Sequence, residues 1–301
     1  MSWFYLALFV PLLFAVVNLI DDNLLQFVYK SRYIATVMAG VSGTLPLLSL
    51  FFLDFNNIPT NLALLSMLSG SLAVGFYFFY FKSLQLDSPS VVVALFSLAP
   101  ATIPFFAYFI VDEKLGLQQI IGFSIVLLAS LGLAASDVRN FKFSKALVPA
   151  VIAVIFMDAE AITNKYVYNN ADFYPAYMYF SLGMGITAFL FYFVKFSDNN
   201  QALVRIGKKF KRLIPILIFV ELLGLLAEFL LNLAISKGPV SLVKVIEGSQ
   251  PMFVLLIALL LYPFAPKFFR EAEDSKPVLK FVLMAVIIVG LGVIAAASSS
   301  A

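Results

Sequence analysis

Residues 11–29 read PLLFAVVNLIDDNLLQFVY, and residues 149–167 read PAVIAVIFMDAEAITNKYV. The two segments align without a gap at a spacing of 138 residues, so that Asp22 corresponds to Glu160. Both are apolar enough to enter a bilayer, although each contains two carboxylates. The repetition predicts that the chain is built from two equivalent halves within a membrane.

Hydropathy divides the whole chain into segments of this kind. A helix needs about 20 mostly apolar residues to cross a bilayer. Hydrophobic residues make up 62% of the chain and charged residues only 12%, whereas soluble domains carry about 25% charged residues. We therefore predict an all-α membrane protein whose ten transmembrane helices cover residues 2–28, 33–53, 61–84, 89–111, 117–136, 146–168, 173–195, 213–236, 239–262 and 278–297. The sizeable loops between them are residues 137–145, 196–212 and 263–277.

A second correspondence extends the repeat. Residues 82–89, KSLQLDSP, correspond to residues 232–239, NLAISKGP, and a proline follows in the next helix of each half, Pro100 and Pro251. Each half then holds five spans, one within residues 1–137 and the other within 146–297. Because five is odd, the halves have opposite orientations in the membrane. Transporters with such inverted repeats bind substrate near the bilayer midplane, between the halves.

Basic residues are distributed unevenly among the connections. Connections after odd-numbered spans carry 16 of the 20 Lys and Arg residues, whereas those after even-numbered spans carry only Lys114, Lys165 and Lys237. Cytoplasmic loops collect basic residues, which predicts that both termini are extracytoplasmic. The first span lacks the basic region of a cleaved signal peptide, so we expect it to be retained. The predicted location is the plasma membrane of a prokaryote, with the lipid bilayer as one partner.

Several function classes are disfavoured by composition. Histidine and cysteine are both absent, which removes the commonest metal ligand and general base as well as any thiolate. An intramembrane aspartate protease is disfavoured because no Asp follows Gly290-Leu291-Gly292. The basic run at 208–212 adjoins a span and indicates a topology signal and a contact for anionic lipids, not nucleic acid. We predict no enzyme activity, no cofactor and no metal site, and a monomer is compatible with the sequence.

Seven carboxylates lie inside apolar spans, and they are the main indication of function. Each charged residue at a helix centre costs about 2.5–3.5 kcal/mol on insertion scales, so such residues face a cavity, form pairs or carry protons. They are Asp21, Asp22, Asp158, Glu160, Glu221, Glu228 and Glu247.

Spacing connects some of these carboxylates with other polar residues. Glu221, Glu228 and Asn232 are separated by seven and four residues, which places them on one stripe of a helix. Lys244 and Glu247 are three apart and can form an ion pair. The predicted substrate-binding or coupling residues are Asp22, Gln26, Asp158, Glu160, Asn164, Glu228, Asn232, Lys244 and Glu247. The alternative is a buried polar network, with a structural Lys244–Glu247 pair, that holds the helices together.

The order of local motifs resembles the EamA-type members of the drug/metabolite transporter superfamily. The resemblance rests on FFYFKSL at 78–84 before SPSV at 88–91, on LAP at 98–100, VDEKL at 111–115 and QIIG at 119–122, and on AISKGPVSLV at 234–243 and SQP at 249–251. It implies a ten-helix carrier of small organic solutes. Members of this family commonly have both termini in the cytoplasm, which is the opposite of the orientation that the basic residues predict.

Together these features predict a secondary transporter that works by alternating access. Its expected substrate is a small organic solute such as an amino acid or an amine, and coupling to protons fits the number of carboxylates. A lipid flippase or scramblase of the same fold is the alternative. It is less favoured because a phosphate group requires cationic residues, and the deep acids outnumber the deep bases.

Overall fold

The computed structural model describes residues 3–52, 58–87, 92, 95–96, 99–137, 145–208, 210–261 and 277–299. These ranges contain helices and no strands, which confirms the predicted all-α membrane protein. The α-helices are α1 Trp3–Leu24, α2 Arg32–Ser42, α3 Thr60–Leu84, α4 Ile103–Val111, α5 Leu117–Asp137, α6 Leu147–Asn170, α7 Phe173–Val194, α8 Phe196–Lys208, α9 Phe210–Lys237, α10 Val240–Glu247, α11 Gln250–Leu261 and α12 Pro277–Ser299. A π-helical turn, Leu25–Tyr29, continues α1, and 3₁₀ segments occupy Leu45–Phe51 and Ala99–Ala101.

Within the described ranges, nine helical segments are long and apolar enough to cross a membrane. Each of them overlaps one of the predicted spans. The remaining predicted span, residues 89–111, lies partly outside the described residues, so the count of ten stays a prediction. Large apolar side chains such as Phe105, Phe109 and Phe189 are more than three-fifths exposed at 64%, 68% and 62%, as expected for a surface that faces lipid.

One predicted loop is wrong in part. Residues 196–212 are polar on average, but Phe196–Lys208 form the amphipathic helix α8. Asn199, Ala202 and Ile206 are buried along one face of it, at the spacing of three and four residues that is typical of a surface helix. The other two predicted loops lie mostly outside the described residues.

Two helices are interrupted near the middle of the molecule. The ninth predicted span is divided into α10 and α11 at Gly248 and Ser249, directly before Pro251. In the fourth, the 3₁₀ turn that contains Pro100 precedes α4. The two interruptions touch, because a Cβ atom on Gly248 would lie 2.7 Å from Pro100 Cγ. Proline lacks an N–H and frees backbone carbonyls, so polar backbone groups concentrate where the predicted site lies.

Close helix contacts surround one side of the centre. Helix α3 packs along α6 and α7, α2 packs on α7, α1 packs along α9, and α5 packs along α12. A Cβ atom on Gly70 would lie 2.0 Å from the carbonyl oxygen of Phe180, and one on Gly183 would lie 2.1 Å from that of Met67. The backbones of α3 and α7 therefore touch, as small residues allow in membrane helices.

The connections gather at two opposite ends of the molecule. At one, called here the Gly238 end, Gly238 packs against Trp3 and the backbone N–H of Val240 bonds to Glu113. At the other, called the Arg32 end, Arg32 donates to Gln85, and α8 packs near the π-helical turn. The Arg32 end carries connections that follow odd-numbered spans, and the basic residues predict that it faces the cytoplasm.

Candidate functional site

A cavity of about 120 Å³ lies at the centre of the helices. A single water needs only about 10–15 Å³ measured in this way, so the cavity has room for several waters or a small organic solute. Its described lining includes five carboxylates and one lysine: Asp21, Glu160, Glu221, Glu228, Glu247 and Lys244. The site is therefore polar and predominantly acidic, although aromatic side chains form much of its wall.

Three of these carboxylates form a deep group around Lys244. The exposed fraction is 5% for Glu160, 9% for Glu228 and 1% for Lys244. Lys244 forms an ion pair with Glu247, one turn further along the chain. A buried charge is strongly unfavourable unless it is paired, so this ion pair allows Lys244 to remain charged at the centre of the protein. The structure thus brings together four of the predicted residues: Lys244 and Glu247 from α10, Glu228 from α9 and Glu160 from α6.

An amide network connects two of the deep carboxylates. Asn232 Nδ2 donates to Glu228 Oε1 at 2.8 Å, and Asn232 Oδ1 accepts from Asn164 Nδ2 at 2.7 Å. Asn164 Nδ2 also donates to Glu160 Oε1 at 2.6 Å. Tyr168 adds a hydroxyl bond of 2.9 Å to Asn232 Oδ1. The two asparagines lie behind the cavity wall, where they position the carboxylates of Glu160 and Glu228.

A second acidic group lies nearer the Arg32 end. Glu221 Oε1 accepts from the Tyr29 hydroxyl at 3.3 Å. The Tyr80 hydroxyl lies 2.8 Å from Asn18 Oδ1 and 3.3 Å from Asp21 Oδ2. Neither Asp21 nor Glu221 is among the site residues that the sequence predicts. For Glu221 the signal was present, since it shares the helical stripe of Glu228; for Asp21 the repeat favoured its neighbour instead.

Besides the two asparagines, Gln26 and Asp158 are predicted residues that do not line this cavity in the structure. The side chain of Asp22 lies outside the described residues. Gln26 is exposed and belongs to the π-helical turn, whose wider winding alters the direction of its side chain relative to an α-helix. Asp158 is buried and accepts a hydrogen bond from Thr102 at the interruption before α4. Its other oxygen, Oδ1, has no hydrogen-bond partner in the described part of the chain.

Aromatic rings cover the wall that faces α9. Phe76, Tyr77, Phe96 and Tyr177 all line the cavity. Tyr177 stacks on Phe180, with ring centroids 5.5 Å apart, so its ring is held in place. On α9 itself, a Cβ atom on Gly224 would have no neighbour within 4 Å. Aromatic rings from other helices and the open space beside Gly224 of α9 thus form parts of the same cavity.

Two charged residues fix the connection at the Gly238 end. Lys165 Nζ donates to the carbonyl oxygens of Ile235 at 3.0 Å and Gly238 at 2.8 Å. Glu113 accepts from the backbone N–H groups of Val240 at 2.6 Å and Ser241 at 3.1 Å. These are the unpaired groups that helix ends leave, at the end of α9 and the start of α10. We call these four hydrogen bonds the clasp.

Comparison with known proteins agrees with these features. Residues 1–135 match the EamA-like transporter family. This part of the chain belongs to that family. EamA-like proteins, within the drug/metabolite transporter superfamily, are membrane transporters of small solutes and not enzymes. With nine helical segments in the described ranges that are long and apolar enough to cross a membrane, the protein is an integral, multi-pass membrane protein.

Solved structures share the fold of the whole chain. One of them, described only as "Crystal structure of protein", has a TM-score of 0.66 and 15% sequence identity. The similarity covers 98% of this chain and 97% of the other. Among curated proteins, none matches this chain in sequence.

Proposed function

We propose that this EamA-like protein is a secondary transporter of small organic amines or amino acids, coupled to protons. The observation that carries the proposal is the central cavity, with five carboxylates against one paired lysine in its described lining. A carboxylate can hold a proton or the ammonium group of a substrate. Exchange of one for the other at the same oxygen atoms couples the two movements.

Alternating access is supported by the uneven packing around the cavity. Helix α3 is in extensive backbone contact with α7, whereas α2 and α9 make only limited contact and both line the cavity. The predicted repeat exchanges the third span with the eighth and the seventh with the second. It therefore exchanges the extensive α3–α7 contact with the limited α9–α2 contact. A second conformation, in which α9 packs closely on α2 and α3 lies apart from α7, completes the transport cycle.

The proposal is tested by uptake into proteoliposomes. Labelled amines and amino acids are supplied with and without an imposed pH gradient. We expect Glu228→Gln to reduce uptake at least ten-fold and to remove its dependence on the gradient, because the amide keeps the shape but holds neither a proton nor a cation. Asp112→Asn is the matched control, since Asp112 is exposed and pairs with Lys114 at the surface.

Two results would overturn the proposal. One is normal, gradient-dependent uptake by Glu228→Gln together with normal uptake by Glu247→Gln. The other is rapid dithionite quenching of inner-leaflet fluorescent lipids without uptake of any soluble solute, which would indicate a lipid flippase or scramblase. We expect no lipid movement because the acidic lining repels phosphate groups.

A further inference from the structure

We propose that the cavity binds a linear molecule with a positively charged amino group near each end, a long diamine or polyamine, extended along α9. This inference rests on the proposed transport function and narrows its substrate class. It depends on two acidic groups at a fixed separation and on the surface between them.

The separation follows from helix geometry. Glu221 and Glu228 both belong to α9 and both line the cavity. Seven residues at 1.5 Å per residue place their Cα atoms about 10 Å apart along the axis, and nearly two full turns return them to the same face. A rigid helix therefore presents two carboxylates to one cavity at a distance that a single ammonium group does not bridge.

Each carboxylate is reinforced from other helices. Asp21 of α1 lines the same cavity as Glu221. Glu160 of α6 is joined to Glu228 through the hydrogen bonds of Asn164 and Asn232, and Glu247 of α10 lines the cavity beside them. In the described lining the only basic side chain is Lys244, which is engaged by Glu247. Both ends of the cavity thus hold grouped carboxyl groups, and each of these groups can bind a cation.

The surface between the two ends suits a methylene chain. Gly224 lies between the two carboxylates on the same face of α9, and the space beside it is open. Phe76 and Tyr77 face the cavity from α3 and Phe96 from the fourth span. Aromatic faces pack against methylene groups and also attract cations. An apolar path with acidic ends matches an extended polyamine.

One buried amide also indicates a polar ligand at the deep end. Gln250 lines the cavity, and its Nε2 atom is buried without a hydrogen-bond partner among the described residues. Buried polar atoms are nearly always paired in native structures. If the side-chain amide rotates by about 180°, its oxygen and nitrogen exchange places. The oxygen can then accept a hydrogen bond from an ammonium group held by the deep carboxylates.

Other charged solutes fit less well. An α-amino acid carries its two charges on adjacent groups, so it engages one acidic group and brings its own carboxylate next to the others. A short monoamine satisfies one end only. Extended diamines and polyamines alone place a cation at both ends.

The test measures the binding of spermidine, putrescine and propylamine to the full-length protein in nanodiscs. We expect spermidine to bind at least ten-fold more tightly than propylamine. Glu221→Gln and Glu228→Gln should each weaken spermidine about ten-fold, whereas only one of them should weaken propylamine. Gly224→Leu introduces a good helix former into open space, so the protein should fold normally. It should block the path between the two ends and weaken spermidine at least ten-fold, with little effect on propylamine.

The outcomes separate this inference from the transport function. Equal affinities for spermidine and propylamine in the unmodified protein would overturn the inference, as would full spermidine binding by Gly224→Leu. Uptake of amino acids or short amines without a preference for spermidine would support the transport function and reject the inference that the substrate is a polyamine. Spermidine binding that follows the expected pattern, with no uptake of any solute, would support the site and reject transport.

Discussion

Helices α3 and α9 occupy corresponding places in the predicted repeat, but their central glycines have opposite surroundings. On α3, Gly70 lies where a Cβ atom would come within 2.0 Å of the Phe180 carbonyl oxygen. On α9, Gly224 has nothing within 4 Å. Glycine thus allows a backbone contact at Gly70 in the first half and borders open space at Gly224 in the second half. The comparison shows that the protein is closed on one side of its centre and has its cavity on the other.

The largest expected effect comes from adding one methyl group to each of these glycines. Gly70→Ala forces α3 away from α7, and overpacking of this kind costs about 1–3 kcal/mol. Gly224→Ala meets no neighbour, and alanine favours a helix over glycine by up to about 1 kcal/mol. Thermal unfolding of the purified protein should show a lower midpoint for Gly70→Ala and an unchanged or higher one for Gly224→Ala. Equal shifts would mean that the two sides are packed alike.

A smaller effect is expected from a substitution that breaks the clasp. We infer that the clasp helps to hold the Gly238 end closed. Lys165→Met removes two hydrogen bonds to the end of α9 and leaves carbonyl groups unpaired, at a cost of about 1–3 kcal/mol. Because about 1.4 kcal/mol corresponds to a ten-fold change in an equilibrium, the end should open measurably more often. The chain contains no cysteine, so a single cysteine at Gly224 can report access from each side to water-soluble thiol reagents.

The control for this measurement is Lys237→Met. Lys237 is exposed in the last turn of α9 and takes no part in the clasp. We expect Lys165→Met to increase labelling from the Gly238 end by several-fold and Lys237→Met to leave it unchanged. If both substitutions raise labelling equally, the positive charge near this end, and not the four hydrogen bonds, controls its opening.

The smallest perturbation tests which side of the membrane each region faces. Cysteines at Ser299 and Asn200 should change stability least, because one lies at the end of α12 and the other, in the surface helix α8, loses only a hydrogen bond from the Tyr192 hydroxyl. The distribution of basic residues predicts that an impermeant thiol reagent labels Ser299→Cys in intact cells and does not label Asn200→Cys. The reverse pattern would place the Arg32 end outside the cell.

Sequence patterns predicted the spans well because crossing a bilayer requires a long apolar helix, which hydropathy detects directly. They missed α8 because its apolar residues are few and spaced around a mostly polar segment. The pairing of Glu160 with Asn164 and of Glu228 with Asn232 followed from the spacing of four residues. That these two pairs meet through Asn232 depends on how α6 packs against α9, which no local pattern encodes.

The remaining differences at the site have a similar cause. The repeat singled out Asp22, whose side chain lies outside the described residues, whereas the structure places Asp21 in the cavity wall. Adjacent residues on a helix point about 100° apart, so a small rotation of α1 decides whether Asp21 faces the cavity. The π-helical turn at Leu25–Tyr29 adds such a rotation for Gln26. Sequence spacing assumes regular helices and does not reveal where the winding changes.

The clasp also bears on the energy balance of the empty carrier. In the repeat, Phe27 stands where Lys165 stands in the second half, and Phe27 is 68% exposed. The first half therefore has no ammonium group at this position to engage the opposite connection. A carrier with two identical halves would rest equally in its two orientations, whereas in this one the lysine of the clasp is present in the second half only. Its unloaded form should therefore favour the orientation with the Gly238 end shut, and leaving that orientation should be the slow step of each turnover.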